Sequence, residues 1–201
     1  MAVYGSRLEM GNIITLVQDT LDEKIEFHPN RATFDGKAYE GCSTDSLRGT
    51  RVYCNHPSAD RRWGELRFKM PGKALAAATM NEIRDMCAIL REIYSATCGR
   101  FDGAIDDYSK TLSLDAVKAA QDANNFAHAE VIGYHESGER GKRERGKTIT
   151  FGSRTSESYL RVYDKSIESH GEIDAIRYEV EFKGDKADLV FREWTIYDFQ
   201  R

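Results

Sequence analysis

The chain has 201 residues, a length that suits one domain with a core of its own. Hydrophobic residues make up 40% and charged residues 31%, as in an ordinary soluble globular protein, and no apolar run reaches the roughly 18 residues of a transmembrane helix. The net charge of −4 argues against a general polyanion binder but leaves room for one basic face.

The N-terminus and the cysteines indicate a cytoplasmic protein. The first residues, MAVYGSRLEMGN, lack the basic and apolar regions of a signal peptide. Four cysteines, at positions 42, 54, 87 and 98, show neither CxxC pairing nor zinc-ligand spacing. We therefore predict a reduced, cytoplasmic chain.

The first part of the chain is weakly patterned, and it offers short strand candidates near Ile13–Val17 and Arg51–Cys54. The segment Arg62–Met70 alternates apolar and polar residues, which predicts a strand. A helix is predicted from Thr79, because Thr79 and Glu82 have the spacing of a capping box and an apolar stripe follows them.

The second half of the chain is rich in predicted strands. One strand is predicted within Cys98–Asp107, and Ser113 then caps a helix that runs to about Asn125. Four more strands are predicted in HAEVIGYH, KTITFGS, SYLRVYDK and AIRYEVEFK, before a helix-prone tail from Asp185 to Arg201. We find no internal sequence repeat, and we predict one α+β domain over residues 1–201, with a mainly antiparallel sheet and helices packed on one face.

Three of these strands place polar side chains on one face. The sets are Arg161, Tyr163 and Lys165; Arg177, Glu179 and Glu181; and Arg100, Asp102 and Asp106. An antiparallel sheet with one side in water alternates in this way, and its Arg–Glu pairs stabilise it by about 0.2–1 kcal/mol each. Carboxylates from two strands can also hold Mg²⁺ or Mn²⁺ beside a phenol and an ammonium, as in a phosphodiester-cleaving site. The alternation by itself does not decide between the two.

A basic segment, GERGKRERGK, lies between two of the predicted strands. A solvated loop is one interpretation of such a charge run. The other is a DNA-backbone contact that gives salt-dependent affinity, through Lys142, Arg143, Arg145 and Lys147.

Three blocks, GRFDGAIDDYSKTLSLDAV, TITFGSRTSESYLRVYDKSIE and AIRYEVEFK, together resemble the replication initiation factor family. That family contains trans-acting Rep proteins of rolling-circle plasmids and some filamentous phages, and related relaxases of integrative elements. The blocks run in family order and cover about half of the chain, from Gly99 to Phe182. The resemblance implies a Rep/relaxase nuclease-like fold, in which residues 1–75 form a strand-rich part of the same domain.

The resemblance also implies an activity. It is that of an endonuclease that nicks one DNA strand at an origin and stays joined to the 5′ phosphate. Tyr163 matches the nucleophilic tyrosine of the family and Lys165 matches the lysine that accompanies it. A metal ion, Mg²⁺ or Mn²⁺, is placed at Asp102, Asp106 and Glu179.

The predicted role of the cations follows from the chemistry of a phenol. A free tyrosine has a pKa near 10, so we expect Lys165 or the metal to lower the pKa of Tyr163 and favour the phenolate. Arg161 and Arg177 share the polar faces and are candidates for phosphate contacts.

The chain departs from the wider rolling-circle nuclease class, because none of its five histidines forms a histidine–hydrophobe–histidine pair. The expected partners are origin DNA, a host helicase and polymerase, and a second copy of the chain in a homodimer. Two alternatives stay open: a non-catalytic DNA-binding regulator on the same scaffold, and a relaxase that starts conjugative transfer.

Overall fold

The computed structural model describes residues 1–28, 31–43, 47–56, 64–123, 132–137 and 146–196. Within these ranges the helices are α1 (Arg7–Leu21), α2 (Gly72–Leu75), α3 (Met80–Tyr94), α4 (Leu114–Asp122), α5 (Lys165–Glu168) and α6 (Gly184–Ile196). The strands are β1 (Ala2–Gly5), β2 (Phe27–His28), β3 (Ala32–Phe34), β4 (Lys37–Tyr39), β5 (Gly41–Ser43), β6 (Arg51–Asn55), β7 (Gly64–Lys69), β8 (Arg100–Asp107), β9 (Ile132–Ser137), β10 (Gly146–Phe151), β11 (Ser158–Asp164) and β12 (Ile176–Lys183).

The chain divides into two compact units. One contains Met1–Gly99 with Leu189–Arg201, and the other contains Arg100–Asp188. Whether the two work as a single domain, as the sequence predicts, stays a prediction. No helix within the described parts of the chain is long and apolar enough to cross a membrane.

The N-terminal unit is built on an antiparallel sheet of strand order β1-β7-β6-β5-β2. Helix α1 begins at a capping box, in which the Ser6 hydroxyl accepts from the Glu9 amide and the Glu9 carboxylate accepts from the Ser6 amide. The predicted strand near Ile13–Val17 is wrong, because these residues lie inside α1. Their β-branched side chains favour a strand locally, but the buried positions Met10, Ile13, Val17 and Leu21 follow the helical period.

A hairpin of β3 and β4 packs against the polar face of the N-terminal sheet. Phe34 and Tyr39 bring their rings to within 4.9 Å and 5.6 Å of the Tyr53 ring, between centroids. Glu65 is only 5% exposed, and it accepts a hydrogen bond from the Tyr39 hydroxyl at 3.3 Å and pairs with Lys37. The hairpin therefore buries most of this carboxylate and two of the aromatic rings.

The C-terminal unit contains the second antiparallel sheet, of order β8-β12-β11-β10-β9. Helix α4 packs on one face of it, where Leu114 and Val117 join Ile149, Val162 and Ile176 in a buried apolar cluster. Ser113 caps α4, since its hydroxyl accepts from the Ala116 amide at 3.1 Å. The opposite face carries the polar side chains, as the alternation of the sequence predicts.

Most predicted elements are confirmed. Strands occur at each of the predicted positions from β6 onward, and α3 begins after Thr79 with the predicted capping box. The predicted tail helix is α6, whose described part ends at Ile196. The α+β class with antiparallel sheets and a helix on one face is confirmed.

Candidate active site on the C-terminal sheet

A row of five directly opposed residues crosses the polar face of the C-terminal sheet. From β9 to β8 these are His135, Thr148, Tyr163, Arg177 and Asp106. Directly opposed residues in an antiparallel sheet have their side chains on one face and about 5 Å apart. Register therefore places Tyr163 in the middle of a polar strip.

The phenol of Tyr163 lies against carboxylates. Its hydroxyl donates to Oε2 of Glu179 at 3.0 Å, and the Glu168 carboxylate also interacts electrostatically with it. Burial raises the pKa of Tyr163 above its ordinary value, and the two carboxylates raise it further. The expected lowering of this pKa by Lys165 is therefore wrong for this arrangement, in which the pKa is raised. The lowering expected from a metal ion stays a prediction.

Lys165 occupies a different place from the one that the sequence predicts. Strand β11 ends at Asp164, and Lys165 begins the short helix α5 instead of continuing the strand face. Its ammonium pairs with Glu168, three residues along the helix, at 2.9 Å, and it lies 6.0 Å from the centroid of the Tyr163 ring. Because Glu168 compensates its charge, Lys165 does not act on the phenol as an isolated cation.

The two arginines of the polar face are both paired with acids. Arg161 donates to Oε1 of Glu179 at 2.5 Å. Arg177 binds Asp106 with two hydrogen bonds, Nε to Oδ1 at 2.6 Å and a terminal nitrogen to Oδ2 at 2.7 Å. These bonds lower the pKa of Asp106 and raise that of Arg177. Three cations and three carboxylates thus surround Tyr163 in pairs.

The three predicted metal ligands do not fit a single ion in this register. Asp102 and Asp106 are four residues apart on β8, so their Cα atoms are separated by about 13 Å, whereas each carboxylate oxygen must lie within about 2.6 Å of the ion. Glu179 lies opposite Ala104, between them. Within the described ranges, no group of three His, Cys, Asp or Glu side chains is arranged to hold a metal ion.

The remaining acids of this face form a separate ion-pair cluster. Asp102 pairs with Arg100 at 2.8 Å. Glu181, only 8% exposed, pairs with Arg100 and Lys183, each at 2.7 Å. Both contacts lower the pKa of Glu181 against the opposing effect of its burial. Asp102 therefore serves a structural cluster in this structure.

The basic segment is only partly described. Lys142, Arg143 and Arg145 lie outside the described residues. Lys147 lies on β10 next to Thr148, so it projects to the face opposite Tyr163, where it pairs with Asp115 of α4 at 3.1 Å. The structure thus separates Lys147 from the polar strip.

Two residues of this neighbourhood did not stand out in the sequence. Glu168 approaches Tyr163 only because the chain turns into a helix after Asp164, which the strand-like pattern of YLRVYDKS conceals. The spacing of Lys165 and Glu168, three residues apart, was the available signal. His135 enters the row only through the pairing of β9 with β10.

A comparison with known families matches the C-terminal part of the chain. The sequence model described as the replication initiation factor matches residues 96–200, just over half of the chain. The chain belongs to the replication initiation factor family. The matched region contains all the strands of the C-terminal sheet, together with Tyr163 and α5.

This member of the replication initiation factor family also resembles a solved structure. It aligns with that of a rolling circle replication initiator protein from Geobacillus stearothermophilus with a TM-score of 0.70 and 18% sequence identity, over 94% of this chain and 70% of that chain. At this identity the likeness shows a shared fold. No match was found among the curated proteins.

Proposed function

We propose that this chain initiates rolling-circle replication by nicking one DNA strand and later rejoining it through Tyr163. One observation carries the proposal: the Tyr163 hydroxyl lies on the polar face of the sheet, 3.0 Å from Glu179 and among three ion pairs. A phenol next to carboxylates that can accept its proton is a poised nucleophile. Membership of the family gives DNA as the substrate class.

In the proposed reaction the Tyr163 oxygen attacks the scissile phosphorus in line with the leaving 3′ oxygen. The product is a 5′-phosphotyrosine ester and a free 3′ hydroxyl, which primes DNA synthesis. The ester keeps the energy of the broken bond, so the reverse attack rejoins the strand without ATP. Glu179 orients the hydroxyl, because it is itself fixed by Arg161 from the neighbouring strand.

Arg161 is the best placed phosphate contact on this face. One terminal nitrogen binds Glu179, and its buried Nε has no hydrogen-bond partner among the described residues. The Arg161 side chain is 31% exposed, so its guanidinium can contact a DNA phosphate from the solvent side. Arg177 has its Nε and one terminal nitrogen committed to Asp106, so we assign it a smaller share of phosphate binding.

The requirement for Mg²⁺ or Mn²⁺ stays a prediction, because the acids of the polar face are engaged by arginines and do not form a common site. It is tested by measuring nicking after exhaustive chelation and again after each ion is restored. The homodimer and the host helicase and polymerase also stay predictions.

The decisive experiment is capture of the covalent intermediate. A pool of randomised single-stranded oligonucleotides is incubated with the protein and both ions, and denaturing electrophoresis followed by sequencing identifies the captured DNA. We expect Tyr163→Phe to abolish the adduct. Tyr53→Phe is the matched control, since Tyr53 is a buried tyrosine opposite an arginine in the other sheet, and it is expected to keep the adduct.

Two results would contradict the proposal. The first is a wild-type protein that binds the oligonucleotides but forms no adduct, which favours a non-catalytic regulator. The second is an adduct that persists in Tyr163→Phe, which assigns the nucleophile to another residue.

A further inference from the structure

The polar face of the C-terminal sheet is divided into a charged half and an uncharged half. On β8, β11 and β12 this face presents arginines and acids in ion pairs. On β9 and β10 the positions of this face that the structure describes carry no carboxylate, ammonium or guanidinium group. We call these positions the neutral surface, and they are Gly133, His135, Gly146, Thr148 and Thr150. Tyr163 lies on the charged strand that borders it.

The neutral surface has a low floor and one exposed ring. Thr150 is only 5% exposed, Thr148 is half-buried, and Gly133 has no side chain. His135 is exposed and lies opposite Thr148, two strands from Tyr163 and therefore about 10 Å from it. The imidazole is thus at the far side of a shallow surface that begins at the phenol.

The packing of the other face of β9 directs the imidazole to this surface. Tyr134 packs against the apolar cluster beneath α4, and the Lys118 ammonium lies 5.6 Å from the centre of its ring. Neighbouring residues of a strand point to opposite faces, so a Tyr134 side chain that packs on one face directs His135 to the other. The ring is therefore presented by a strand that is held in place.

Gly133 lets the imidazole approach the sheet. Strand β9 pairs with β10 without interruption from Ile132 to Ser137, so the glycine does not mark a bulge. A Cβ atom at Gly133 would lie 3.0 Å from Nε2 of His135 and 2.6 Å from Oγ1 of Thr150, and the second distance is closer than side chains pack. Glycine weakens a strand, and inside one it often marks a place where a ligand comes close to the backbone. Here it makes room for the ring and keeps the floor of the neutral surface low.

We propose that the neutral surface binds the nucleobase next to the scissile phosphate, with the His135 ring stacked on that base. The inference rests on the proposed function and deepens it. A nucleotide joins an anionic phosphate to an uncharged base. A phosphate at Tyr163 meets Arg161 on the charged half, and a base on the neutral surface covers threonine and glycine without removing an ion pair from water. Histidine rings stack on unpaired bases, and stacking tolerates any base because each has a π-face.

The proposal is tested with an oligonucleotide that carries the captured cleavage site in three forms. One form is intact, and the other two lack the base of the nucleotide on the 5′ or the 3′ side of the scissile phosphate. His135→Ala removes the ring, and His135→Phe keeps a ring without nitrogen atoms. His56→Ala is the matched control, because His56 is an exposed histidine that follows β6 of the other sheet.

We expect His135→Ala to slow single-turnover cleavage of the intact DNA by about tenfold, the effect of one lost stack between a base and a ring. Removing the stacked base should slow the wild type by a similar factor. His135→Ala should then cause no further loss, because the two changes remove the same contact. His135→Phe should stay within about twofold of the wild type, and His56→Ala should match it. Unchanged melting temperatures check that each variant folds.

A second measurement detects stacking without cleavage. The Tyr163→Phe protein is mixed with an oligonucleotide that carries 2-aminopurine, a base whose fluorescence falls when it stacks, at the position where base removal slowed cleavage. We expect binding to quench the fluorescence, and the quenching to be smaller when His135→Ala is combined with Tyr163→Phe. Gly133→Ala should also reduce it, because the added methyl group displaces the ring.

Three outcomes would overturn the base site while leaving Tyr163 its role. His135→Ala cleaves the intact DNA at the wild-type rate, or it loses the same factor on all three DNA forms, in which case the ring does not act through a base. In the third outcome His135→Phe is as slow as His135→Ala, which assigns the effect to the ring nitrogens instead of stacking. If Tyr163→Phe forms the adduct, the proposed function itself is wrong.

Discussion

The two sheets of this protein have the same strand order but make different use of similar residues. In each sheet the first strand pairs with the fifth, and the remaining strands follow back to the second, giving β1-β7-β6-β5-β2 and β8-β12-β11-β10-β9. In each unit a long helix follows the first strand, α1 in one and α4 in the other. We find no repeat in the sequence, but the two units repeat the same order of strands.

The polar faces also correspond in composition. A tyrosine of the fourth strand lies opposite an arginine of the fifth in both sheets, Tyr53 opposite Arg67 and Tyr163 opposite Arg177. A glutamate lies two positions from the arginine, before Arg67 as Glu65 and after Arg177 as Glu179. Residue type alone does not distinguish the two faces.

The difference lies in what surrounds the tyrosine and the glutamate. In the N-terminal sheet the β3–β4 hairpin leaves Tyr53 only 6% exposed, and it packs rings against it. In the C-terminal sheet Tyr163 and Arg161 stay partly exposed, and α5 adds the ion pair of Lys165 and Glu168, with the ammonium 6.0 Å from the centre of the Tyr163 ring. The same polar pattern is a structural network where it is covered and a candidate reactive site where it is open.

The largest expected effect is a difference between Glu179 and Glu65 in the rate of adduct formation after each is replaced by glutamine. Glu179→Gln should lower the rate of adduct formation by about 100-fold, because a neutral amide orients the phenol and fixes Arg161 less strongly than a carboxylate. Glu65→Gln should leave the rate per folded molecule unchanged. Single-turnover kinetics measure both, and an equal loss of rate in the two variants would remove the functional distinction between the sheets.

The same two variants should differ in stability in the opposite sense. Glu65 is buried and bonds Lys37, Tyr39 and Tyr4, so Glu65→Gln should lower the free energy of unfolding by about 1–3 kcal/mol. Chemical denaturation measures the shift, and a denaturation midpoint that does not move would show that the network contributes little.

A third comparison concerns the residue of the first strand that lies opposite the arginine of the fifth strand. Arg177 faces Asp106, whereas Arg67 faces Ala2. Asp106→Asn should destabilise the protein by about 1–3 kcal/mol at neutral pH. Since Arg177 depresses the pKa of Asp106, this contribution is present above about pH 4, the unfolded pKa, and disappears as the pH falls through the lower folded value.

Denaturation of wild type and Asp106→Asn across that range measures the effect. The two curves should converge toward acid pH. A constant difference down to the most acidic pH would assign the effect to packing instead of charge.

The smallest expected effect concerns the connection between the second and third strands. In the N-terminal unit this connection contains the hairpin, and in the C-terminal unit it contains Lys142, Arg143 and Arg145. Replacing the three by alanine should weaken binding of single-stranded DNA and reduce the slope of log affinity against log salt by about two. Lys147→Ala, on the opposite face, should change the slope less. Equal changes per residue would show that DNA also contacts the α4 face.

The order of the elements and the polar faces were predictable because they depend on local patterns. Period-two alternation identified β7, β8, β11 and β12, and capping residues identified the starts of α3 and α4. The strand predicted near Ile13–Val17 was wrong because it too was based on a local pattern. The β-branched residues of this run favour a strand, but tertiary packing stabilises the helix α1 instead. The resemblance to the family identified Tyr163, but the sequence did not show which charged residues around it form ion pairs with one another.

The sequence by itself determined which side chains share a face, since alternation follows from the geometry of one strand. Only the tertiary structure decided which of them meet, because register between strands distant in the chain sets every cross-strand pair. That register separates Asp102 from Asp106, joins Arg177 to Asp106, and holds Glu179 against Tyr163. The turn into α5 then adds Glu168, which raises the pKa of the phenol further than burial alone does.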